Sequence, residues 1–205
     1  MPHLVIVAAA YAAITIGIVS TIIQFVRLLR DGVEGVSLAT WSLFVFTSGF
    51  WVSYGVLSSH SLEVVLGSLL VWPFQMYIVS RLSPLREWAT VAKSALFSFA
   101  LMFAPIFLWG WKAGVYGTGV GMTLMRGPQF VELIKVRRAE GVSALSWYTS
   151  AACSGFWVIY YAGDHLWAAL LATAAAGVAS GAIGVLATIR HVQARRDERS
   201  LVVTG

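Results

Sequence analysis

Residues 48–52 of this chain read Ser-Gly-Phe-Trp-Val, and the same residues recur in the same order at positions 154–158. Further matches surround this pair in the same order, and they are Gln-Phe-Val at 24–26 and 129–131, Glu-Gly-Val-Ser at 34–37 and 140–143, Trp41 and Trp147, and Tyr54 and Tyr160. Chance similarity between two apolar segments would match Leu, Val and Ala, whereas these matches include Gln, Glu, Trp and Tyr. The chain therefore contains an internal duplication, which organises everything that follows.

The composition is that of a membrane protein. Of the 205 residues 59% are hydrophobic and 11% are charged, whereas an ordinary soluble domain is about 25% charged. The aromatic content, Trp 9, Tyr 7 and Phe 11, excludes an intrinsically disordered chain. A single cysteine, Cys153, excludes a disulfide scaffold.

Uncharged apolar runs of about 20 residues are long enough to cross a bilayer as helices. The chain contains seven such runs, separated by short polar breaks, at 4–25, 38–57, 62–80, 88–109, 115–134, 142–162 and 166–189. The first run is too long for a signal peptide and lacks a positively charged start, so we expect it to remain as a helix.

The basic residues sort to one side of this predicted topology. With the N-terminus outside, nearly all of the 14 Lys and Arg residues lie on the cytoplasmic side, and these are Arg27, Arg30, Arg81, Arg86, Lys93, Lys135, Arg137, Arg138, Arg190, Arg195, Arg196 and Arg199. Only Lys112 lies outside, and Arg126 lies within a span. This asymmetry follows the positive-inside rule, so the net charge of +5 indicates topology and contact with the lipid bilayer, and not nucleic-acid binding. We expect an integral protein of the plasma (inner) membrane with a cytoplasmic C-terminus.

The duplication predicts the architecture. Spans one to three match spans five to seven, and the fourth stands alone. Three spans reverse the direction of the chain, and one extra span restores it, so both copies have the same orientation. We predict an all-α integral membrane protein of seven transmembrane helices, with two parallel three-helix repeats (1–82 and 113–190), a linker helix (83–112) and a cytoplasmic tail (191–205). Such repeats face a central cleft near the midplane of the membrane.

Three motifs in this arrangement give the chain a family resemblance. Gly127-Pro128-Gln129, the two Glu-Gly-Val-Ser loops and Trp-Val-Ser-Tyr-Gly at 51–55 resemble the PQ-loop superfamily, and most closely the duplicated SWEET (MtN3/saliva) sugar transporters related to SemiSWEET. The resemblance covers nearly the whole chain. It implies uncoupled, alternating-access transport of a small neutral solute, a mono- or disaccharide, usually in a homo-oligomer and without a cofactor.

The chain departs from the family pattern at several positions. Ile23 stands before Gln24 where the family has proline, Thr40 and Ser146 replace prolines of the second helix in each copy, and Pro128 alone remains as a hinge residue. The Asn that the family places beside the substrate is replaced by Gly67 or Ser68 in the first copy and by Thr173 in the second. The resemblance therefore implies Ser68 and Thr173 as substrate-binding hydroxyls, which form fewer hydrogen bonds than a carboxamide.

Trp51 and Trp157 occupy the position at which the family places an aromatic side chain beside the substrate. An indole stacks on the apolar face of a sugar ring, and its N–H can donate to a hydroxyl. Anchoring at the membrane interface is the alternative role for a membrane Trp. The matched placement in both copies favours a shared cleft.

Tyr54 and Tyr160 follow three residues later, on the same helix face as the Trp pair. With Asp164, His60 and His165 they are candidates for an outer gate closed by hydrogen bonds. An interfacial belt of aromatic residues with polar loop residues is the alternative.

Polar groups inside the apolar runs need partners. Gln24 and Gln129 are hinge or gate residues in the resemblance, or they join helices by hydrogen bonds. Arg126 matches Thr21 in the first copy, so its charge lies outside the duplicated pattern. It contacts an anionic group of the solute, pairs with Glu132 or extends to the inner surface.

The sequence predicts no catalysis. The four histidines lie at ends or in loops and form no metal-binding cluster, and neither a phosphate-binding loop nor a catalytic triad spacing occurs. Two alternatives to sugar transport stay open. One is a proton-coupled PQ-loop amino-acid transporter, for which Glu132 is the candidate acid, and the other is a membrane receptor or scaffold that moves no solute.

Overall fold

The computed structural model describes residues 2–83, 87–136 and 138–204, without the side chains of residue 168 and residues 198–204. Arg86 and Arg137, which contributed to the predicted topology, lie outside the described residues. Helix makes up 86% of the chain, and the described residues contain no strand. The α-helices are α1 (His3–Asp31), α2 (Leu38–Tyr54), α3 (Leu62–Leu69), α4 (Trp72–Leu82), α5 (Trp88–Ser98), α6 (Ala104–Trp109), α7 (Trp111–Leu124), α8 (Gly127–Lys135), α9 (Ala144–Gly163) and α10 (Trp167–Thr204).

Helical stretches that can cross a membrane are present, as predicted. Among the described residues, 4 stretches are long and apolar enough by length and composition, and these are His3–Asp31, Leu62–Leu82, Trp88–Trp109 and Ala169–Asp197. Of the other predicted spans, α2 has 17 residues before a π-helical turn, α7 has 14, and α9 has 20. The last of these is rich in Ser and Tyr, and it lines the cavity described below.

Prolines interrupt three of the predicted spans. Pro73, Pro105 and Pro128 lie at the starts of α4, α6 and α8. A proline has no backbone N–H, which is harmless in the first turn of a helix but breaks the hydrogen-bond ladder in the interior. Runs that the sequence predicts as continuous helices are therefore divided. The break before α6 is a π-helical turn over Phe99–Phe103.

The two Glu-Gly-Val-Ser loops end in matched helix caps. Ser37 is the N-cap of α2, and its side chain accepts a hydrogen bond from the backbone N–H of Thr40 at 3.3 Å. Ser143 is the N-cap of α9 and accepts from the backbone N–H of Ser146 at 3.1 Å. Both copies of the duplicated loop thus begin their second helix by the same capping interaction.

Helix contacts repeat between the two halves of the chain. In the first half, α3 and α4 contact both α1 and α2, and in the second half α10 contacts α7, α8 and α9. Helix α1 packs along α9, which joins the halves directly, and α5 packs on α2. The third helical stretch of each half therefore contacts both of the others.

A hydrophobic core lies at one end of the bundle. It draws on both halves and on both duplicated loops, and its buried members are Leu28, Val36, Leu38, Trp41, Ile78, Leu82, Leu133, Ala139, Val142, Trp147, Ile183 and Ala187. We call this end, with loops 32–37 and 138–143, the closed end. The predicted tail is helical as far as residue 204, because α10 continues without a break. Arg190 on α10 donates to the carbonyls of Leu133 and Ile134 at the end of α8, both at 2.8 Å.

Candidate functional site

A cavity of about 210 Å³ lies between the two halves of the chain. Its walls come from α1, α2, α3, α4, α7, α9 and α10, together with the break between α7 and α8. Toward the closed end, its lining residues Trp41 and Trp147 are buried, whereas Trp51 and Trp157 farther along α2 and α9 are partly exposed. The cavity therefore opens toward the opposite end of the bundle, which carries Tyr54 and Tyr160 and which we call the open end.

The structure brings the predicted solute-binding residues together. Trp51, Trp157, Ser68 and Thr173 all line the cavity, although they come from four different helices. The Trp157 ring packs against Tyr160 and Tyr161, with centroids 5.5 and 5.7 Å apart. Both duplicated Trp residues therefore face the cavity.

The two predicted hydroxyl groups differ in burial. Thr173 is only 2% exposed, whereas Ser68 is partly exposed. Neither hydroxyl has a hydrogen-bond partner within the described part of the chain. Both are therefore available to a polar molecule in the cavity.

The tyrosines predicted for an outer gate lie near the open end and differ in their contacts. Asp164 is the C-cap of α9, and its backbone N–H donates to the Tyr160 carbonyl at 3.1 Å. The Tyr54 ring stacks parallel to Phe50 at 6.3 Å and lies 5.9 Å from the Trp111 ring. Aromatic packing, and not a hydrogen bond across the cavity, therefore positions Tyr54.

The two gate histidines lie apart from this cluster. His60 and His165 are exposed and adopt positive φ angles of 50° and 57° in the turns that follow helices. The His165 ring contacts Trp167 at 6.1 Å. Their positions are those of loop residues, and the structure does not place either one against the tyrosines.

Gln24 and Gln129 form two matched clamps at the closed end. Gln24 donates through Nε2 to the carbonyl of Gly141 at 2.7 Å and accepts through Oε1 from the backbone N–H of Ser143 at 2.9 Å. Gln129 makes the same two bonds, at the same distances, with Gly35 and Ser37. Each glutamine thus holds the duplicated loop that belongs to the other half of the chain.

These clamps are buried, with Gln24 1% and Gln129 0% exposed. The predicted alternatives were a hinge or gate and helix-to-helix hydrogen bonding. The partners are in fact loop backbone groups, which need such bonds because they are shielded from water. Pro128 lies beside Gln129 at the start of α8.

Arg126 is buried in the cavity wall and is 6% exposed. It donates through Nε to Ser180 Oγ at 2.7 Å and through Nη1 to the carbonyl of Met122, and its guanidinium carbon lies 5.7 Å from the centre of the Phe44 ring. The predicted pairing with Glu132 is wrong, since no carboxylate of the described residues forms an ion pair with Arg126. The predicted extension to the surface is wrong as well, because the group is buried.

Gln75 is a further cavity residue, which the sequence does not predict. It is 8% exposed, lines the cavity and accepts a hydrogen bond through Oε1 from Ser48 Oγ at 2.8 Å. Its Nε2 group has no partner among the described residues. A carboxamide near the middle of an apolar run is a detectable signal, but it has no counterpart in the duplication, where Gly181 occupies the matched position.

No family model, curated protein or solved structure matches this chain.

Proposed function

We propose that this protein is a facilitative transporter of a small sugar-like solute that works by alternating access. The observation that carries this proposal is the cavity between two duplicated halves, with a matched Trp from each half, open toward one end and sealed at the other. A solute could reach such a cavity from one side only. Transport then requires the closed end to open while the open end closes.

The proposed membrane arrangement has seven spans in a three, one and three order. The third helical stretch in each half contacts both of the others, and α5 with α6 lies between the halves in the chain, which supports this order. The N-terminus lies outside and the C-terminus in the cytoplasm of the plasma (inner) membrane, on the basis of the charge distribution. Membership of the PQ-loop superfamily, SWEET-like subunit contacts in a homo-oligomer and the absence of catalysis belong to the same proposal.

The closed end would open by breaking the clamps of Gln24 and Gln129. Each clamp consists of neutral hydrogen bonds, and each such bond contributes about 0.5–1.5 kcal/mol net. Bonds of this size can be exchanged at thermal energies, whereas the surrounding apolar core keeps the closed state populated. Together they suit a gate that opens repeatedly.

The cavity volume favours a monosaccharide over a disaccharide. Its 210 Å³ lies below the roughly 300–1,000 Å³ of pockets that hold drug-sized ligands. Two indoles and several hydroxyl groups suit a ring with one apolar face and polar edges. A neutral monosaccharide is therefore the first substrate to test.

The two alternative functions have less support. Proton coupling needs an acid that faces the solute path, but Arg126 is the sole charged residue among the side chains that line the cavity, and Glu132 is not among them. A receptor or scaffold would need an exposed surface that binds its partner, whereas the distinctive feature of this protein is an internal cavity.

Uptake into proteoliposomes tests the proposal. Purified protein should mediate saturable counterflow of at least one radiolabelled monosaccharide or sugar acid without a proton gradient. Trp51→Ala and Trp157→Ala should abolish this flux, while Trp109→Ala, which removes a 73% exposed side chain, should preserve it. The proposal fails if no mono- or disaccharide or sugar acid moves, or if flux requires a proton gradient.

A further inference from the structure

Arg126 places one fixed positive charge in the cavity wall. Arginine stays protonated in proteins, and an isolated buried charge is expensive unless a partner or water neutralises it. The acidic side chain of no described residue forms an ion pair with it. The charge therefore needs a partner that comes from outside the chain.

The guanidinium is held in a defined orientation. Nε is bound to Ser180 and Nη1 to the Met122 carbonyl, while the Phe44 ring lies on one side. Nη2 has no hydrogen-bond partner within the described residues. The guanidinium of Arg126 is therefore held in place by its other contacts, and its free Nη2 is preorganised to donate to an acceptor in the cavity.

We infer that the cavity binds a sugar acid, a small monoanion whose carboxylate contacts Arg126 and whose ring lies against the cavity indoles. This inference rests on the proposed function and differs from the neutral solute that the sequence predicts. Trp51 and Trp157 provide the stacking surface for the ring, and the unpartnered groups of Gln75 and Thr173 suit its hydroxyls.

The number of charges selects a carboxylate over a phosphate ester. Arg126 is the one charged residue among the side chains that line the cavity, and it neutralises a single negative charge. A phosphate ester carries about −1.5 to −2 at pH 7, so it would leave uncompensated charge in a buried site. A sugar acid carries a single negative charge, so no uncompensated charge would remain in the buried site.

Calorimetric titration of the purified full chain tests this inference. D-glucuronate should bind at least tenfold more tightly than D-glucose, and D-galacturonate should have the same advantage over D-galactose. Arg126→Gln should abolish the advantage, and Arg126→Lys, which keeps the charge but loses the fork of donors, should retain part of it. Lys112 is an exposed residue at the start of α7 that does not line the cavity, so Lys112→Gln should change nothing.

Several results would overturn the inference. They are equal affinity for acid and neutral sugar, no binding of either acid, tighter binding of glucose 6-phosphate, or full acid binding by Arg126→Gln. Stronger binding of glucose in the presence of chloride would also overturn the inference. The anion that neutralises Arg126 would then be a separate ion and not the carboxylate of the sugar. Counterflow of glucose without a preference for the acid would refute this inference and leave the proposed transport function intact. Binding of a sugar acid without flux would refute the transport function and leave this inference intact.

A second measurement does not depend on the folding of a variant. Cys153 is the one cysteine in the chain, and it lines the same cavity as Arg126. In the unaltered protein, an anionic methanethiosulfonate should label it several-fold faster than a cationic one, and D-glucuronate should protect it. Faster labelling by the cationic reagent, or equal rates for the two reagents, would contradict an anion-attracting cavity.

Discussion

Gln24 and Gln129 each form hydrogen bonds with the duplicated loop of the opposite half of the chain. Each side-chain amide bonds the carbonyl of the loop glycine and the N–H of the capping serine in the opposite half, with donor-acceptor distances of 2.7 and 2.9 Å in both clamps. The loops also bond each other, since the Gly141 N–H donates to the Glu34 carbonyl at 3.1 Å. The closed end is thus one network that neither half can form alone.

Loss of either clamp should destabilise the protein. Gln24→Ala and Gln129→Ala each leave a buried N–H and C=O without partners, and one such group costs about 1–3 kcal/mol. Chemical unfolding in detergent should show a loss of this size for each variant. Gln193→Ala, which removes an exposed glutamine, should match the unaltered protein. Because the clamped loops touch, the double variant should lose less than the sum of the two single losses, and strict additivity would contradict a shared network.

A matched pair of positions should respond in opposite directions. Ser146 donates to the carbonyl of Ser20 at 2.7 Å, and Ser20 donates to the carbonyl of Ser146 at 2.7 Å. The matched residue of the first half, Thr40, has a buried hydroxyl without a hydrogen-bond partner among the described residues. We expect Ser146→Ala to lower the free energy of unfolding by about 1–2 kcal/mol, while Thr40→Val is neutral or stabilising.

Thermal unfolding of the two variants in one detergent provides the comparison. A large loss in Thr40→Val would show that its hydroxyl has a partner such as bound water. Ser20→Ala offers an independent check, because it removes the other half of the reciprocal pair and should resemble Ser146→Ala.

Gln75 should contribute to solute affinity more than to stability. Gln75→Met keeps the length of the side chain but removes the free Nε2 donor, so affinity for the tightest-binding sugar or sugar acid should fall about tenfold, equivalent to about 1.4 kcal/mol. Titration calorimetry measures this change. Ser48→Ala leaves Nε2 in place and should have a smaller effect, and equal losses in both variants would assign Gln75 a packing role.

Two glycines offer a test of the contact between α7 and the π-helical turn. A Cβ at Gly117 would overlap the carbonyl oxygen of Leu101, whereas one at Gly155 meets nothing within 4 Å. Gly117→Ala should therefore destabilise by about 1–3 kcal/mol through overpacking. Gly155→Ala should stabilise by about 0.5–1 kcal/mol, because alanine favours the helix. Chemical unfolding distinguishes the two signs, and a neutral Gly117→Ala would mean that the helix shifts freely.

The duplication made the matched features predictable from sequence. Trp51 and Trp157 stand out in the sequence because they occupy matched positions in the two copies, and the same is true of Gln24 and Gln129. The partners of the glutamines were not predictable, because the pattern shows that a buried amide needs acceptors and donors but not which loop supplies them. Gln75 was missed for a related reason: its matched position holds Gly181, so comparison of the halves gave no signal.

The helix breaks show a second limit. Hydrophobicity marks the length of a membrane run, and the predicted run at 62–80 matches α3 and α4 in extent. Whether Pro73 bends a helix or divides it depends on neighbouring contacts that satisfy the freed carbonyls. The hydrogen bond from Arg126 to Ser180 on α10 was likewise not predictable, because the local sequence around the arginine does not reveal this partner.

The reciprocal serine bonds make the two sides of the bundle unequal. The side where α1 meets α9 is joined by Ser20 and Ser146 and by the Cys153 thiol, which donates to the Ala13 carbonyl at 3.2 Å. On the side where α2 meets α7 and α8, Met125 stands in place of the first serine, and the Thr40 hydroxyl has no hydrogen-bond partner among the described residues. We therefore expect the Gln129 clamp between α8 and the loop before α2 to break first when the closed end opens, and the Gln24 clamp beside the α1–α9 contact to break last.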